Sequence, residues 1–300
     1  MTAPTNDARP AAKIVRTAAD LDAVLAPARA DGVMIGLVPT MGALHAGHLS
    51  LVKRARRDCG LVVASLFVNP TQFGPNEDFE RYPRDEAGDV ALFSTNGVAV
   101  VYAPTVAEMY PNGPEITVTV KGVTEGLCGD ARPGHFDGVT TVVSRLFAHC
   151  RPDAAYFGEK DYQQYMVIKR MVEELGLPVR VFGVPIVREP DGLALSSRNA
   201  YLDERQRRIA PALYGTIRAV AGRLDRDVDI AAQCAWGRQA LLEAGFDRID
   251  YLEVRDGTTL KPAERYHRGL RVFVAARLGA TRLIDNVAVE PDGVHPPQRR

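Results

Sequence analysis

"VMIGLVPTMGALHAGHLSL", residues 33–51, decides how the chain is read. VMIGLV (33–38) is a short apolar run of strand length, and the pattern after it predicts a helix from about Gly47 to Asp58. Between them His45 and His48 sit three residues apart, in a chain with only 6 histidines. At i and i+3 the two imidazoles share one face of the first helical turn, beside backbone N–H groups that have no partner within a helix. Gly47 removes a side chain, which lets a flat base or ribose approach the backbone. A helix N-terminus favours an anion, and two imidazoles can donate to a phosphate as it gains charge. Two other readings stand beside this one. One histidine can shape a turn while the other is exposed, or the pair can hold a metal. The metal reading is the weaker, because helical pairs prefer i,i+4 spacing and no third ligand lies nearby.

Outward from this stretch, apolar runs alternate with helix-like segments. LVVASLFV (61–68) is apolar almost throughout, as expected of a strand buried on both faces of a parallel sheet. VAVVYAP (98–104), AAYF (154–157) and VRVFGVPI (179–186) read the same way. Helices are expected over 137–150 and from Asp161 through QQYMVIKRMVEELG. Repeated β–α units predict an α/β fold, a Rossmann-like doubly wound parallel sheet. The character changes after REPDGLALSSRN (188–199). Asp203 with Gln206 forms a capping box for a helix, Pro211 marks a break in it, and DIAAQCAWGRQALLEAG is a second helix. IDYLEV (249–254), LRVFVAARLG (270–279) and TRLIDNVAVE (281–290) are strands, the last two a hairpin. These predict a smaller C-terminal α+β domain. The expected organisation is a loose leader over 1–12, the Rossmann-like domain over 13–186, the smaller α+β domain over 187–290, and a Pro-rich disordered tail over 291–300.

Bulk composition narrows the function classes. Lys+Arg and Asp+Glu are both 37, so there is no broad electrostatic case for nucleic acid or an anionic membrane. No apolar run has the length to cross a bilayer, and the first residues lack the apolar core of a signal peptide. The 4 cysteines are scattered without a CxxC pair, which argues against zinc and a disulfide framework and makes the reducing cytoplasm the simplest location.

Three more loops carry chemistry-bearing residues at expected strand ends. In FVNPTQF (67–73), Asn69 shapes the Asn-Pro turn or faces a ligand, and Gln72 offers both a donor and an acceptor over a pocket. In GEKD (158–161), Lys160 is either a solvated cation or a point charge for a transferring phosphate. Asp161 with Gln164 also reads as a capping box. In LSSRN (195–199), two hydroxyls, backbone N–H groups and a guanidinium make either an ordinary turn or a clamp for phosphates. Asp89 is either a helix-face aspartate or an acidic partner of Mg²⁺, and His135 in RPGHF is taken as loop architecture.

PTMGALHAGH (39–48) resembles the HxGH signature of the nucleotidyltransferase superfamily, and within it the chain resembles the pantothenate synthetase (pantoate–β-alanine ligase) family. The resemblance continues through SLFVNPTQFGPNEDFERYPRD (65–85), RPGHFDGVTTVV (132–143), YFGEKDYQQ (156–164) and DGLALSSRNAYL (191–202), so it covers about residue 30 to 290. It implies condensation of pantoate with β-alanine at the expense of ATP, through an acyl adenylate, in a homodimer that uses Mg²⁺. It also implies His48, His45 and Lys160 as catalytic groups, with His48 the donor, although spacing does not separate it from His45. ATP would lie against Met41, Gly42, Ala43, Leu44, His45, Ala46, Gly47 and His48, against Gly158, Glu159, Lys160 and Asp161, and against Val187, Leu195, Ser196, Ser197 and Arg198. Those last residues match the place of the superfamily's mobile KMSKS-type loop. Gln72, Gln164 and Asn69 would take pantoate and β-alanine, and Asp89 stands where the family carries a metal-associated aspartate. Two rivals stay open: a nucleotidyltransferase that stops at a nucleotide-linked product, and a fold that binds a nucleotide without turnover.

Overall fold

A computed structural model describes residues 11–75 and 77–289. The expected tail lies outside the described residues, as does the expected leader apart from Ala11 and Ala12. In chain order the elements are β1 (Lys13–Val15), α1 (Ala18–Ala30), β2 (Ile35–Thr40), α2 (Ala46–Asp58), β3 (Leu61–Leu66), α3 (Glu86–Thr95), β4 (Val100–Tyr102), α4 (Val106–Met109), α5 (Cys128–Ala131), α6 (His135–Cys150), β5 (Ala154–Gly158), α7 (Tyr162–Glu174) and β6 (Arg180–Val184). Then follow α8 (Glu204–Ile209), α9 (Ala212–Ala221), α10 (Ile230–Ala244), β7 (Arg248–Asp256), β8 (Leu270–Leu278) and β9 (Thr281–Ala288). The chain packs as two units. The first holds the described residues up to Val120 with Pro133–Gly158 and Val167–Val184. The second holds Lys121–Arg132, Glu159–Met166 and the described residues from Pro185 onward.

The first unit is built on a six-stranded parallel sheet of order β1-β4-β3-β2-β5-β6. From β2 the chain winds outward through β3 and β4, while β5 and β6 wind the other way, so the order reverses between β2 and β5. In open α/β sheets ligands bind beyond the carboxyl ends of the strands at such a reversal. The central strands are apolar on both faces because helices cover both: Leu37, Val38, Val63 and Ala64 are each fully buried. β2 runs to Thr40, two residues past the expected end, although Pro39 cannot donate to the ladder. Hydroxyls close it instead: the Thr40 N–H donates to Ser65 Oγ at 3.2 Å, and Thr40 Oγ1 donates to the Ser65 carbonyl at 2.7 Å. β1 and α1 were not legible: β1 has only 3 residues, and α1 carries Pro27 within it. The side chain of Thr17 caps α1 by accepting from Asp20 N–H.

The second unit holds the antiparallel sheet β7-β8-β9, with α9 and α10 packed on it. Leu213, Ile217 and Val220 from α9 and Leu241 from α10 meet Leu252, Val272 and Val274 in one core. Burying each such side chain contributes about 1.5–3 kcal/mol. The capping box predicted for Asp203 and Gln206 forms, and the helix breaks where Pro211 stands between α8 and α9. β8 and β9 pair as the expected hairpin. The register of β7 shifts between Ile249 and Tyr251, so Asp250 is the extra residue of a bulge.

Candidate active site

Three of the sequence-predicted loops leave carboxyl ends of neighbouring strands: residues 41–48 follow β2, residues 67–72 follow β3, and Glu159 with Lys160 follows β5. In the first unit, His45 is the N-cap of α2, with extended backbone at φ −141°. The Gly47 N–H donates to His45 Nδ1 at 3.1 Å, and the His45 N–H donates to His48 Nδ1 at 3.3 Å. The rings lie 4.1 Å apart. Both Nδ1 atoms therefore accept, which makes each neutral imidazole the tautomer with its proton on Nε2. The pair caps its own helix through the two Nδ1 atoms, which places the ring proton of each on Nε2. Among the described residues no three His, Cys, Asp or Glu side chains gather as a metal set.

The loop feeding this helix has two consecutive left-handed residues, Gly42 at φ +83° and Ala43 at φ +50°. For an alanine that conformation costs roughly 1–2 kcal/mol. Asp89, on α3, holds it there: the Ala43 N–H donates to Oδ2 and the Leu44 N–H to Oδ1, both at 2.9 Å. Asp89 is buried, and that burial raises its carboxyl above the ordinary aspartate value, with the two backbone donors pulling partly the other way. This geometry makes Asp89 a clamp on the loop. Each oxygen accepts one N–H and keeps a second lone pair, and Mg²⁺ commonly needs few protein carboxylates when substrate phosphates supply much of its coordination.

Asn69 and Gln72 sit on the short turn after β3. Asn69 is 1 % exposed. Its Oδ1 accepts from Thr71 N–H and from Tyr110 Oη at 2.9 Å, and its Nδ2 donates to the Gly138 carbonyl at 3.1 Å. Its carboxamide thus shapes the turn that carries Gln72. Gln72 Nε2 donates to Met41 Sδ at 2.9 Å, linking this turn to the histidine loop. His135 is not in a loop. It opens α6, and its Nδ1 lies 2.9 Å from the Gln72 carbonyl, so it donates to that oxygen and pins the turn from the far side. Gly138, one helical turn on, makes the close approach possible: a Cβ there would collide with the Thr71 carbonyl oxygen. His135 and Gly138 were missed as positioning residues because their partners lie more than 60 positions away in sequence, beyond any local pattern.

In the second unit, Lys160 lies in a 3₁₀ turn over Glu159–Asp161, with its Nζ 3.6 Å from Asp161 Oδ2. A Cβ added at Gly158, just before the turn, would meet nothing within 4 Å, so there is room beyond the end of β5. Gln164 lies in the first turn of α7 and is half-buried. Val187 and Leu195 are paired, the Leu195 N–H donating to the Val187 carbonyl at 3.0 Å. They close a tight hairpin that delivers Ser196, whose Oγ accepts from the Arg198 N–H at 3.3 Å to start a 3₁₀ turn over Ser197–Tyr201. All 4 cysteines are free thiols. No helix among the described residues is long and apolar enough to cross a membrane.

Known proteins match along this whole framework. The sequence model of the pantoate–β-alanine ligase family fits residues 13–288. Pantothenate synthetase of Paramagnetospirillum magneticum is 56 % identical over 94 % of this chain and 99 % of its own length. That of Pseudomonas aeruginosa is 52 % identical over 93 % and 99 %. The crystal structure of pantothenate synthetase from Thermus thermophilus matches with a TM-score of 0.83 at 49 % identity, covering 93 % of this chain and all of that one. Pantoate–β-alanine ligase from Francisella tularensis, complexed with β,γ-ATP and β-alanine, matches with a TM-score of 0.78 at 33 % identity, covering 94 % and 99 %. With the histidine-capped helix standing at the sheet's reversal point, and the match running from β1 to the end of β9, the chain belongs to the pantoate–β-alanine ligase family.

Proposed function

We propose that this chain joins (R)-pantoate to β-alanine with ATP, giving pantothenate, AMP and pyrophosphate. The observation that carries the reading is the pair of Nδ1-accepting histidines at the mouth of α2, in a chain of this family. The pantoate carboxylate attacks the α-phosphorus of ATP, and the bond to the bridging oxygen of pyrophosphate breaks. The β-alanine amine then attacks the acyl carbonyl, AMP leaves with its oxygen, and the amine nitrogen gives up a proton. The mixed anhydride supplies the leaving group, so the protein's task is orientation and charge stabilisation.

In this reading His45 and His48 direct their Nε2–H groups at the α-phosphate, and Lys160 adds a positive charge there. Met41 to His48, with Gly158 to Asp161, line the nucleotide; Val187 and Leu195 carry Ser196, Ser197 and Arg198 to the outgoing pyrophosphate. Uncharged Gln72 and Gln164 orient pantoate without quenching its nucleophilic carboxylate, and Asn69 and Asp89 hold the loops that present these groups. Mg²⁺ would be held by the ATP phosphates with Asp89 as the protein carboxylate, and would supply charge neutralisation there. Four free thiols suit a reducing cytoplasm, and a homodimer is the assembly proposed.

The test is exchange of labelled pyrophosphate into ATP, with and without pantoate and in the absence of β-alanine. Pantoate-dependent exchange is the expected result. A folded, ATP-binding chain that shows none would overturn the two-step mechanism.

A further inference from the structure

Two adjacent residues of β9, Asp285 and Asn286, reach two different loops of the second unit. Successive strand side chains point to opposite faces, yet both are buried, at 3 % and 2 % exposed. Asn286 Nδ2 donates to the carbonyls of Glu159 at 2.9 Å and Lys160 at 3.1 Å. Its Oδ1 accepts from Arg271, whose guanidinium stacks 3.9 Å over the Tyr162 ring and lies 3.8 Å from the Glu159 carboxylate. The carboxamide is thereby fixed in orientation, with its two N–H bonds aimed at the turn that bears Lys160. Asp285 accepts both arms of Arg188, at 2.5 and 2.9 Å. Arg188 in turn donates to the Gly192 carbonyl at 3.1 Å and stacks 3.6 Å from the Tyr214 ring centroid. It thus braces the hairpin that ends at Leu195 and Ser196. β9 packs against both 3₁₀ turns, Glu159–Asp161 and Ser197–Tyr201.

We infer that Asp285 and Asn286 are positioning residues that together set the Lys160 turn and the Ser196–Arg198 loop in one fixed relation. The inference rests on reading those two loops as phosphate-binding. A rigid β-strand dipeptide is suited to this work, because a displacement of about 1 Å in a positioned charge can cost about a hundredfold in rate. Asn286 is a neutral donor to carbonyl oxygens, a task an aspartate of the same shape cannot perform. Asp285 is the reverse, a fork acceptor for a guanidinium.

The experiment is a pair of double-mutant cycles read by pantoate-dependent pyrophosphate exchange, with kcat and the KM values for ATP and pantoate measured separately. Asn286→Ala is expected to lower kcat by about a hundredfold, with the pantoate KM within about twofold. In a Lys160→Ala background the same change should cost less than about threefold more, because a residue acting through Lys160 has nothing left to position. Asp285→Asn should likewise be absorbed by Arg198→Ala. Asn286→Ser, which keeps one donor, should recover part of the loss and covers the case in which the alanine variant does not fold. Full multiplicative losses in both cycles would overturn the inference and leave Asp285 and Asn286 as stability residues. A wild-type chain without exchange would overturn the functional reading itself, and this inference with it, before any variant is made.

Discussion

A Cβ placed on Gly42 would lie 2.7 Å from Oδ2 of Asp89, inside the contact distance of any real pair of such atoms. The same carboxylate oxygen accepts the N–H of Ala43. Loop and clamp are thus interlocked, and neither can change shape alone. Gly42→Ala, at φ +83°, would meet both backbone strain and the clamp. It is expected to keep the fold and to lose about a hundredfold in kcat for pyrophosphate exchange. A variant within threefold of wild type would show that the loop conformation does not matter.

Asp89 should also set an acid limb on activity. Burial holds its carboxyl above the ordinary aspartate value, so on lowering the pH it takes up a proton before an exposed aspartate does. The protonated oxygen becomes a donor, and one of the N–H groups of Ala43 and Leu44 loses its acceptor. Activity is expected to fall on the acid side with an apparent pKa above the ordinary aspartate value. Asp89→Asn should be slow at every pH and lack that limb, which a pH–rate profile of both proteins checks.

The tautomer of the two histidines gives a sharper test. The side-chain nitrogen of Gln reaches the position of a ring Nε2, whereas that of Asn stands nearer Nδ1. With Nδ1 occupied by a backbone N–H, His48→Asn should lose about 10²- to 10³-fold in kcat, the cost typical of one oxyanion donor. His48→Gln should be measurably faster than His48→Asn. The opposite order, or nitrogen-15 shifts showing protonated Nδ1, would contradict the assignment.

Gly138→Ala tests how the Gln72 turn is held. The added methyl would lie 2.7 Å from Gln72 Cα as well as against the Thr71 carbonyl, and both neighbours are backbone. Overpacking of this kind costs about 1–3 kcal/mol. Thermal melting should drop accordingly, and the pantoate KM should rise by about tenfold while the ATP KM changes far less. Equal effects on both substrates would remove Gln72 from the pantoate role.

Asp250 bears on stability. Its burial alone would raise its carboxyl, but the hydrogen bonds from Arg282 and Arg248 outweigh that and hold it below the usual carboxylate range. A carboxyl depressed in the folded state contributes stability that is present above its unfolded pKa and is lost as pH falls through the folded value. Asp250→Asn is therefore expected to cost about 3 kcal/mol at neutral pH, since Arg282 is left without its charged partner. The gap to wild type should close in acid. Denaturant melts at pH 7 and pH 3 measure it, and a gap that persists unchanged would refute the linkage.

The residues that read correctly in the sequence are those whose partners are near in the chain. LVVASLFV became β3 because a continuous apolar run needs two covered faces, and Asp203 with Gln206 capped α8 because the box closes within one turn. The histidine pair was legible for the same reason: its hydrogen bonds span two and three residues. The sequence by itself therefore determined the β–α alternation, the sheet type and which loops leave strand ends.

Tertiary structure alone decided what holds those loops in place. Asp89 reaches back 46 positions to Ala43, and His135 reaches 63 to Gln72. Asp285 lies 97 positions from Arg188, and Asn286 lies 126 from Lys160. No periodicity or capping rule links residues at such separations. Their buried donors and acceptors find partners only once the sheet order has brought distant segments together, and burial then makes each partner obligatory.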